Sequence, residues 1–136
     1  MSSVAWYYGE RHAWPSERRV VKVVVKKSKI HGMGLFAAEE IPWGTRIIEY
    51  KGERIPDKVA FARIAEGADC IFELGENLSI DGASRGNEAR FANHRRRDPN
   101  CFILRDKGRI WIVAGIEGVA AGEEITFDYG STFYPR

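Results

Sequence analysis

The run CFILRDKGRIWIVAG, from Cys101 to Gly115, constrains what this chain can fold into more than any other stretch. Two apolar stretches flank Asp106-Lys107-Gly108, and a short polar link ending in glycine marks a tight β-hairpin. The pattern recurs in CIFELGENLSIDG, where two short runs flank Gly75-Glu76-Asn77. VVKVVVKKSKI, from Val20, is β-branched and bounded by charges, which favours a strand whose basic residues form its solvated face. TRIIEYKGERI (45–55) reads as a strand, a glycine-containing turn and a short extension, and GEEITFDYG adds a last short strand. One segment differs. PDKVAFARIAEGA (56–68) has Pro56 and Asp57 at a helix start, apolar residues at Val59, Phe61, Ala62, Ile64 and Ala65, and Gly67 at the stop. The expected fold class is mainly β with one short helix.

A chain of 136 residues suits one compact domain with a core of its own. Residues 1–17 carry Trp6, Tyr7, Tyr8 and Trp14 without a clear period. They read as an aromatic arm that packs on its own domain or on a second copy, so the expected division is an arm at 1–17 and a domain at 18–136. The amino terminus lacks the apolar run of a signal peptide, and no stretch reaches the length of a membrane helix. A soluble, cytoplasmic protein is expected, with delivery into a host by specialised secretion compatible with the same sequence.

Several chemistries fail on context. GMGLFA (32–37) matches a dinucleotide fingerprint, but that motif needs a helix directly behind it, and Pro42, Trp43 and Gly44 interrupt the segment. The glycines still permit close backbone approach to a ligand or to a neighbouring strand. His94-Arg95-Arg96-Arg97 has the charge to grip phosphates, yet 21 basic against 19 acidic residues give a net charge of only +2, and no aromatics interleave the run. Direct nucleic-acid binding is therefore not expected. His12, His31 and His94 are scattered, and Cys70 and Cys101 form no CxxC pair, so no metal site is read and both thiols are expected to be free. No GxSxG elbow appears. Glu39-Glu40 and Glu123-Glu124 sit beside turns and read as surface charges.

Taken in order, IHGMGLFA, EYKGERI, IDGASRGNEARFANH, PNC and GEEITFDYG resemble the SET domain of protein lysine methyltransferases, from about Lys29 to Tyr134. The closing run is most similar to the histone lysine methyltransferases, and the lack of appended domains to minimal SET proteins of bacteria and large viruses. The resemblance implies several small sheets with a carboxy-terminal pseudoknot, which would bring RFANH and FDYG to one site. It implies S-adenosylmethionine as cofactor, held by His31, Gly32, Met33 and Gly34 on one side and by Arg90, Phe91, Asn93, His94 and Tyr129 on the other. Amide-type donors and close backbone suit an adenine and an amino-acid tail. The structural alternative is that Asn93 and His94 only satisfy buried backbone groups at a strand end.

By the same resemblance Tyr129 and Tyr50 are the catalytic tyrosines, and Tyr50, Cys70 and Phe127 line the lysine channel. Phe127 stands where the family has Phe or Tyr. A Tyr hydroxyl there would crowd the amine, so Phe implies di- or trimethylation. The implied substrate is a lysine-containing basic protein such as a histone. The alternative function is a SET-fold module, weak in catalysis, that binds a peptide or protein partner.

Three departures bear on this. NHRRRDPNC is one residue longer than the usual run and has arginine where a zinc-ligating cysteine is common, so no zinc is expected. The three arginines either line a substrate entrance or form a solvated loop. Cys70 replaces a frequent tyrosine and either widens the pocket or is a small core residue. The usual channel lid is missing. Phe133 and Tyr134, or the arm from the same or a partner subunit, would have to serve, which makes a homodimer plausible.

Overall fold

In the computed structural model, residues 20–129 and the backbone of 132–133 are described. The aromatic arm, Tyr134 and the Phe133 side chain, named above as lid candidates, lie outside the described residues.

Four small sheets make up most of the fold. Strands β1 (Val23–Lys27) and β2 (Met33–Ala37) form an antiparallel pair, with GMGLFA on the second strand rather than at a helix start. A four-stranded sheet has the order β11-β8-β9-β3, from β3 (Arg46–Glu49), β8 (Cys101–Asp106), β9 (Arg109–Ala114) and β11 (Thr132–Phe133). A three-stranded sheet, β4-β6-β5, takes β4 (Glu53–Pro56), β5 (Ile71–Gly75) and β6 (Leu78–Asp81). The fourth sheet pairs β7 (Asn93–His94) with β10 (Thr126–Phe127) in parallel.

Both expected hairpins form. Lys107 and Gly108 sit at φ 52° and 74°, and Glu76 and Asn77 at 54° and 66°. Left-handed backbone at both turn residues matches the twist of the strands it joins. The registers follow, with Asp106 opposite Arg109 and Gly75 opposite Leu78.

The core gathers the inward residues of these sheets, among them Leu35, Ile41, Ile103, Ile110, Ile112 and Ile125. The helix α1 (Asp57–Ala65) forms as expected, but its apolar residues do not face that core. Phe61 is 67% exposed and Ile64 48%, and Ala60 is the buried residue of the helix. Polar contacts anchor it instead. Ser79 donates to Asp57 at 2.8 Å, and Arg63 Nη1 meets Glu53 at 3.0 Å and Asp81 at 2.9 Å.

The last described strands return into the molecule rather than adding at an edge in sequence order. β10 pairs with β7, and β11 pairs with β8, so the carboxy-terminal segment bonds both ends of the loop 95–100 that connects those strands. Asn100 closes the crossing. Its Nδ2 donates to Glu124 O at 2.8 Å, and its Oδ1 accepts from Thr126 N at 2.9 Å. This is the threaded arrangement that the family resemblance implied.

Candidate active site

The parallel pairing of β7 with β10 builds the site. It sets Thr126 beside Asn93 and Phe127 beside His94, and Arg95 N extends it by donating to Phe127 O at 2.8 Å. RFANH and the Phe127 and Tyr129 of FDYG, far apart in sequence, thereby share the wall of one cavity of about 470 Å³. Such a volume is in the usual range for small-molecule sites, about 300–1,000 Å³. His31, Gly32 and Met33 line it from the β1–β2 loop, Arg90, Phe91, Asn93 and His94 from the segment before and within β7, and Cys70, Phe127 and Tyr129 from the far side. Two expected residues are not in the wall. Gly34 faces Glu124, and Tyr50 lies one layer behind, 3% exposed.

The loop end is fastened by a network that the sequence reading missed. Ser28 Oγ donates to the Glu124 carboxylate, whose oxygens lie at 2.9 and 2.8 Å, and accepts from Ile30 N at 2.8 Å and His31 N at 3.2 Å. Asn93 Nδ2 faces four acceptors: Glu124 Oε2 at 2.8 Å, Ser28 Oγ and His31 O at 3.1 Å, and Met33 O at 3.2 Å. Two carbonyls and a carboxylate can only accept, which fixes the nitrogen side of this amide. Asn93 thus serves backbone groups, as the structural alternative held, while also lining the cavity. Gly34 allows the arrangement, because a Cβ there would collide with Glu124. Glu124 is therefore not the surface charge expected. Its neighbour Glu123 is exposed, and its side chain accepts from Ala120 N at 2.7 Å.

Arg90 and Phe91 sit on a short 3₁₀ helix, Glu88–Phe91, capped by the Asn87 side chain accepting from Ala89 N at 3.3 Å. Asn87 Nδ2 also donates to Glu49 O at 2.9 Å, tying this helix to β3. The Arg90 guanidinium lies 4.3 Å from the centroid of the Phe91 ring. His94 Nδ1 accepts from Tyr129 N at 3.2 Å, so that nitrogen carries no proton and the imidazole positions the Tyr129 backbone.

At the opposite end stands an aromatic cluster around Phe72, a residue the sequence reading did not single out. Its ring lies 4.5 Å from Tyr50, 4.8 Å from Tyr129 and 5.6 Å from Phe127. Tyr50 donates its hydroxyl to Cys70 O at 2.8 Å, and Gly82 leaves room for it, since a Cβ there would lie 2.6 Å from that oxygen. Burial, then Cys70 and Tyr129, raises the Tyr50 pKa far above the usual tyrosine value. Tyr129, 43% exposed, is pushed up to about 12 by burial of its hydroxyl, then by Cys70 and Asp69. The Cys70 thiol is raised too, by burial and then by its hydrogen bond to Asp69. All three groups stay neutral at physiological pH. They can donate or accept hydrogen bonds but offer no phenolate or thiolate as a strong base.

A larger hollow of about 960 Å³ lies beyond Glu124 and Thr126, edged by Trp43, Ile116 and Glu117. None of the expected site residues lines it. Its wall carries Lys29 and Arg95 as well as Glu40, Asp98 and Glu117, charges of both signs. Arg95, Arg96 and Arg97 are exposed. Among the described residues no three His, Cys, Asp or Glu side chains cluster to hold a metal, and no helix is long and apolar enough to cross a membrane.

Comparison with known proteins agrees with this geometry. Residues 32–130 match the SET domain family. The chain is 39% identical over 121 residues to the H3 lysine-4 specific histone-lysine N-methyltransferase of Saccharomyces cerevisiae, covering 82% of this chain and 11% of that protein. It is 37% identical over 121 residues to the histone-lysine N-methyltransferase trithorax of Drosophila virilis, covering 82% and 3%. It thus spans about a tenth or less of these relatives. Among solved structures, polycomb repressive complex 2 of Chaetomium thermophilum superposes with TM-score 0.72 at 35% identity, over 85% of this chain and 16% of that one. A ctPRC2 structure in an autoinhibited conformation bound to S-adenosylmethionine gives TM-score 0.72 at 34% identity, over 84% of this chain and 16% of that one. A match over most of the chain, with the motif residues gathered on one cavity, makes this protein a member of the SET domain family.

Proposed function

We propose that this protein transfers methyl groups from S-adenosylmethionine to a lysine side chain of a basic protein, with histones as the first class to test. One observation carries the reading: the β7–β10 pairing sets Asn93 and His94 beside Phe127 and leads into Tyr129, on the cavity that the HGM backbone closes from the other side. The donor set fits the cofactor. Arg90 offers a guanidinium for a carboxylate, the exposed His31–Met33 segment closes the cavity from the other side, and Asn93 has its nitrogen engaged, which leaves its carbonyl oxygen as the group to accept from an amine.

S-adenosylmethionine, when bound, supplies a methyl group on a sulfonium. The residues do the rest. A lysine amine attacks only when neutral, and a solvated lysine has a pKa of about 10.4. The apolar wall at Phe127, backed by the buried Phe72 ring, disfavours the ammonium form. With Tyr50 and Tyr129 held neutral, the proton leaves by water, and Tyr129 acts by orienting the amine. Phe127 is 2% exposed and brings no hydroxyl to the acceptor end, which supports di- or trimethylation.

The test is transfer of labelled methyl groups from S-adenosylmethionine to histones and lysate proteins. Tyr129→Phe is expected to cut kcat by about a hundredfold or more, the scale of losing one positioned hydrogen-bonding group in a transition state. Equal labelling by both proteins, or label on residues other than lysine, would sink the reading. Cofactor binding without transfer to any protein would favour a partner-binding SET module.

A further inference from the structure

Among the described residues that line the 470 Å³ cavity, Asp69 supplies the carboxylate. Its side chain accepts from the Cys70 thiol at 3.4 Å, and its main-chain oxygen lies 3.4 Å from the Tyr129 hydroxyl. A single exposed residue therefore touches two of the three protic groups at the acceptor end. Those neighbours are neutral, so among the described residues that line the cavity the negative charge is that of Asp69. Arg90 provides the opposite charge from the 3₁₀ helix. A wall with an anion at Asp69 and a cation at Arg90 suits ligands that bring a cation to one and a carboxylate to the other.

Resting on the methyltransferase reading, we infer that Asp69 is a specificity-determining residue: it receives the ammonium of the incoming lysine and delivers it to Tyr129. No covalent step is assigned to it. The ammonium docks against the carboxylate, loses its proton to water on passing the apolar ring of Phe127, and attacks from the position Tyr129 sets. The carboxylate raises the local concentration of cationic side chains at an exposed rim, an effect that salt screens. Neutral side chains of similar length gain nothing from it, so Asp69 selects for cationic side chains before any chemistry occurs.

Asp69→Asn separates this role from a structural one, because it keeps the main-chain oxygen near Tyr129 and the side-chain shape while removing the charge. With a synthetic peptide of the histone H3 amino terminus and saturating cofactor, the KM for peptide is expected to rise about fivefold, the scale of one exposed ion pair. The kcat is expected to stay within about twofold, since the hydroxyl of Tyr129 remains in place. Cofactor affinity, measured by calorimetry, stays unchanged, the KM difference shrinks at high salt, and Asp69→Glu recovers most of the loss. An unchanged peptide KM in an active enzyme overturns the inference while leaving the methyltransferase reading intact. Weaker cofactor binding at unchanged peptide KM also overturns it, by assigning Asp69 to the cofactor. Failure of the unsubstituted protein to bind cofactor or label any lysine overturns the methyltransferase reading, and this inference with it.

Discussion

At the loop end of the cavity, Ser28, Asn93 and Glu124 are joined by hydrogen bonds of 2.8 to 3.1 Å, with a carboxylate at their centre. At the acceptor end, Asp69, Cys70 and Tyr129 meet at 3.4 Å, and Tyr129 is nearly half exposed. Short, charge-assisted bonds between part-buried groups are the stronger kind. Contacts at 3.4 Å between exposed groups are weak for an O–H donor and ordinary for a thiol. The loop end is thus fixed before any ligand arrives, whereas the acceptor end, apart from the Tyr50 bond to Cys70 O, is held by ring packing and adjusts more easily. On the proposed reading the division is functional. The fixed end meets a cofactor of constant shape, and the adjustable end meets an amine that gains methyl groups between turnovers.

The largest effect is expected where the fastening is strongest. Glu124→Ala leaves the Ser28 hydroxyl and the Asn93 amide without their shared carboxylate, at a cost of about 2–3 kcal/mol, as expected for hydrogen bonds to a charged group. Urea unfolding would measure it, and weaker cofactor binding should accompany it, because the His31–Met33 carbonyls then lose part of their anchor. Cys70→Ala at the other end should stay within about 1 kcal/mol, since the Cys70 carbonyl still receives Tyr50. Equal losses at the two ends would break the contrast.

That contrast also separates what was legible in the sequence from what was not. The hairpins at Lys107-Gly108 and Glu76-Asn77 were legible because turn chemistry is local. The family motifs were legible as ordered blocks. Ser28 and Glu124, 96 residues apart, carry no local signature of their contact, and Glu124 next to Glu123 looks like one of two solvated charges. The helix α1 shows the opposite failure. Its spacing signals an apolar face, but at nine residues against a small three-stranded sheet it buries Ala60 and is anchored by Asp57 and Arg63, so Phe61 and Ile64 stay in solvent. Phe72 had a usable signal, since it is the inward position of a short strand between Ile71 and Glu73, but nothing local marks it as the centre of four aromatic rings.

An intermediate effect sharpens the acceptor end. Phe127 packs 5.1 Å from the Tyr129 ring and lines the cavity. Phe127→Tyr places a hydroxyl where the amine must carry its methyl groups. Product analysis by mass spectrometry should show monomethyl-lysine accumulating in the variant, while the unsubstituted protein proceeds to di- or trimethyl-lysine. The stability change should be no more than about 1–3 kcal/mol, the desolvation cost of a hydroxyl left unpaired, and near zero if it turns to solvent in the cavity. Identical product distributions would remove Phe127 as the determinant of methylation state.

The smallest effect concerns proton linkage at Tyr129. Its folded-state pKa of about 12 lies above the ordinary tyrosine value of 10.0. Between those values the unfolded chain has released the proton and the folded chain still holds it, so stability falls as pH rises. Below about pH 10 both states are protonated and this contribution is fully present. Tyr129→Phe has no proton to release, so its stability relative to the unsubstituted protein should be flat up to about pH 10 and then drift in the variant's favour toward pH 12. Cys101, whose pKa is also raised by burial and owes nothing to Tyr129, cancels in the difference. Because Tyr129 is substantially exposed, the drift should be shallow, and paired urea titrations across this range would measure it. A steep drift would mean that the ring is enclosed more tightly than its 43% exposure implies, and the acceptor end would then be as fixed as the loop end.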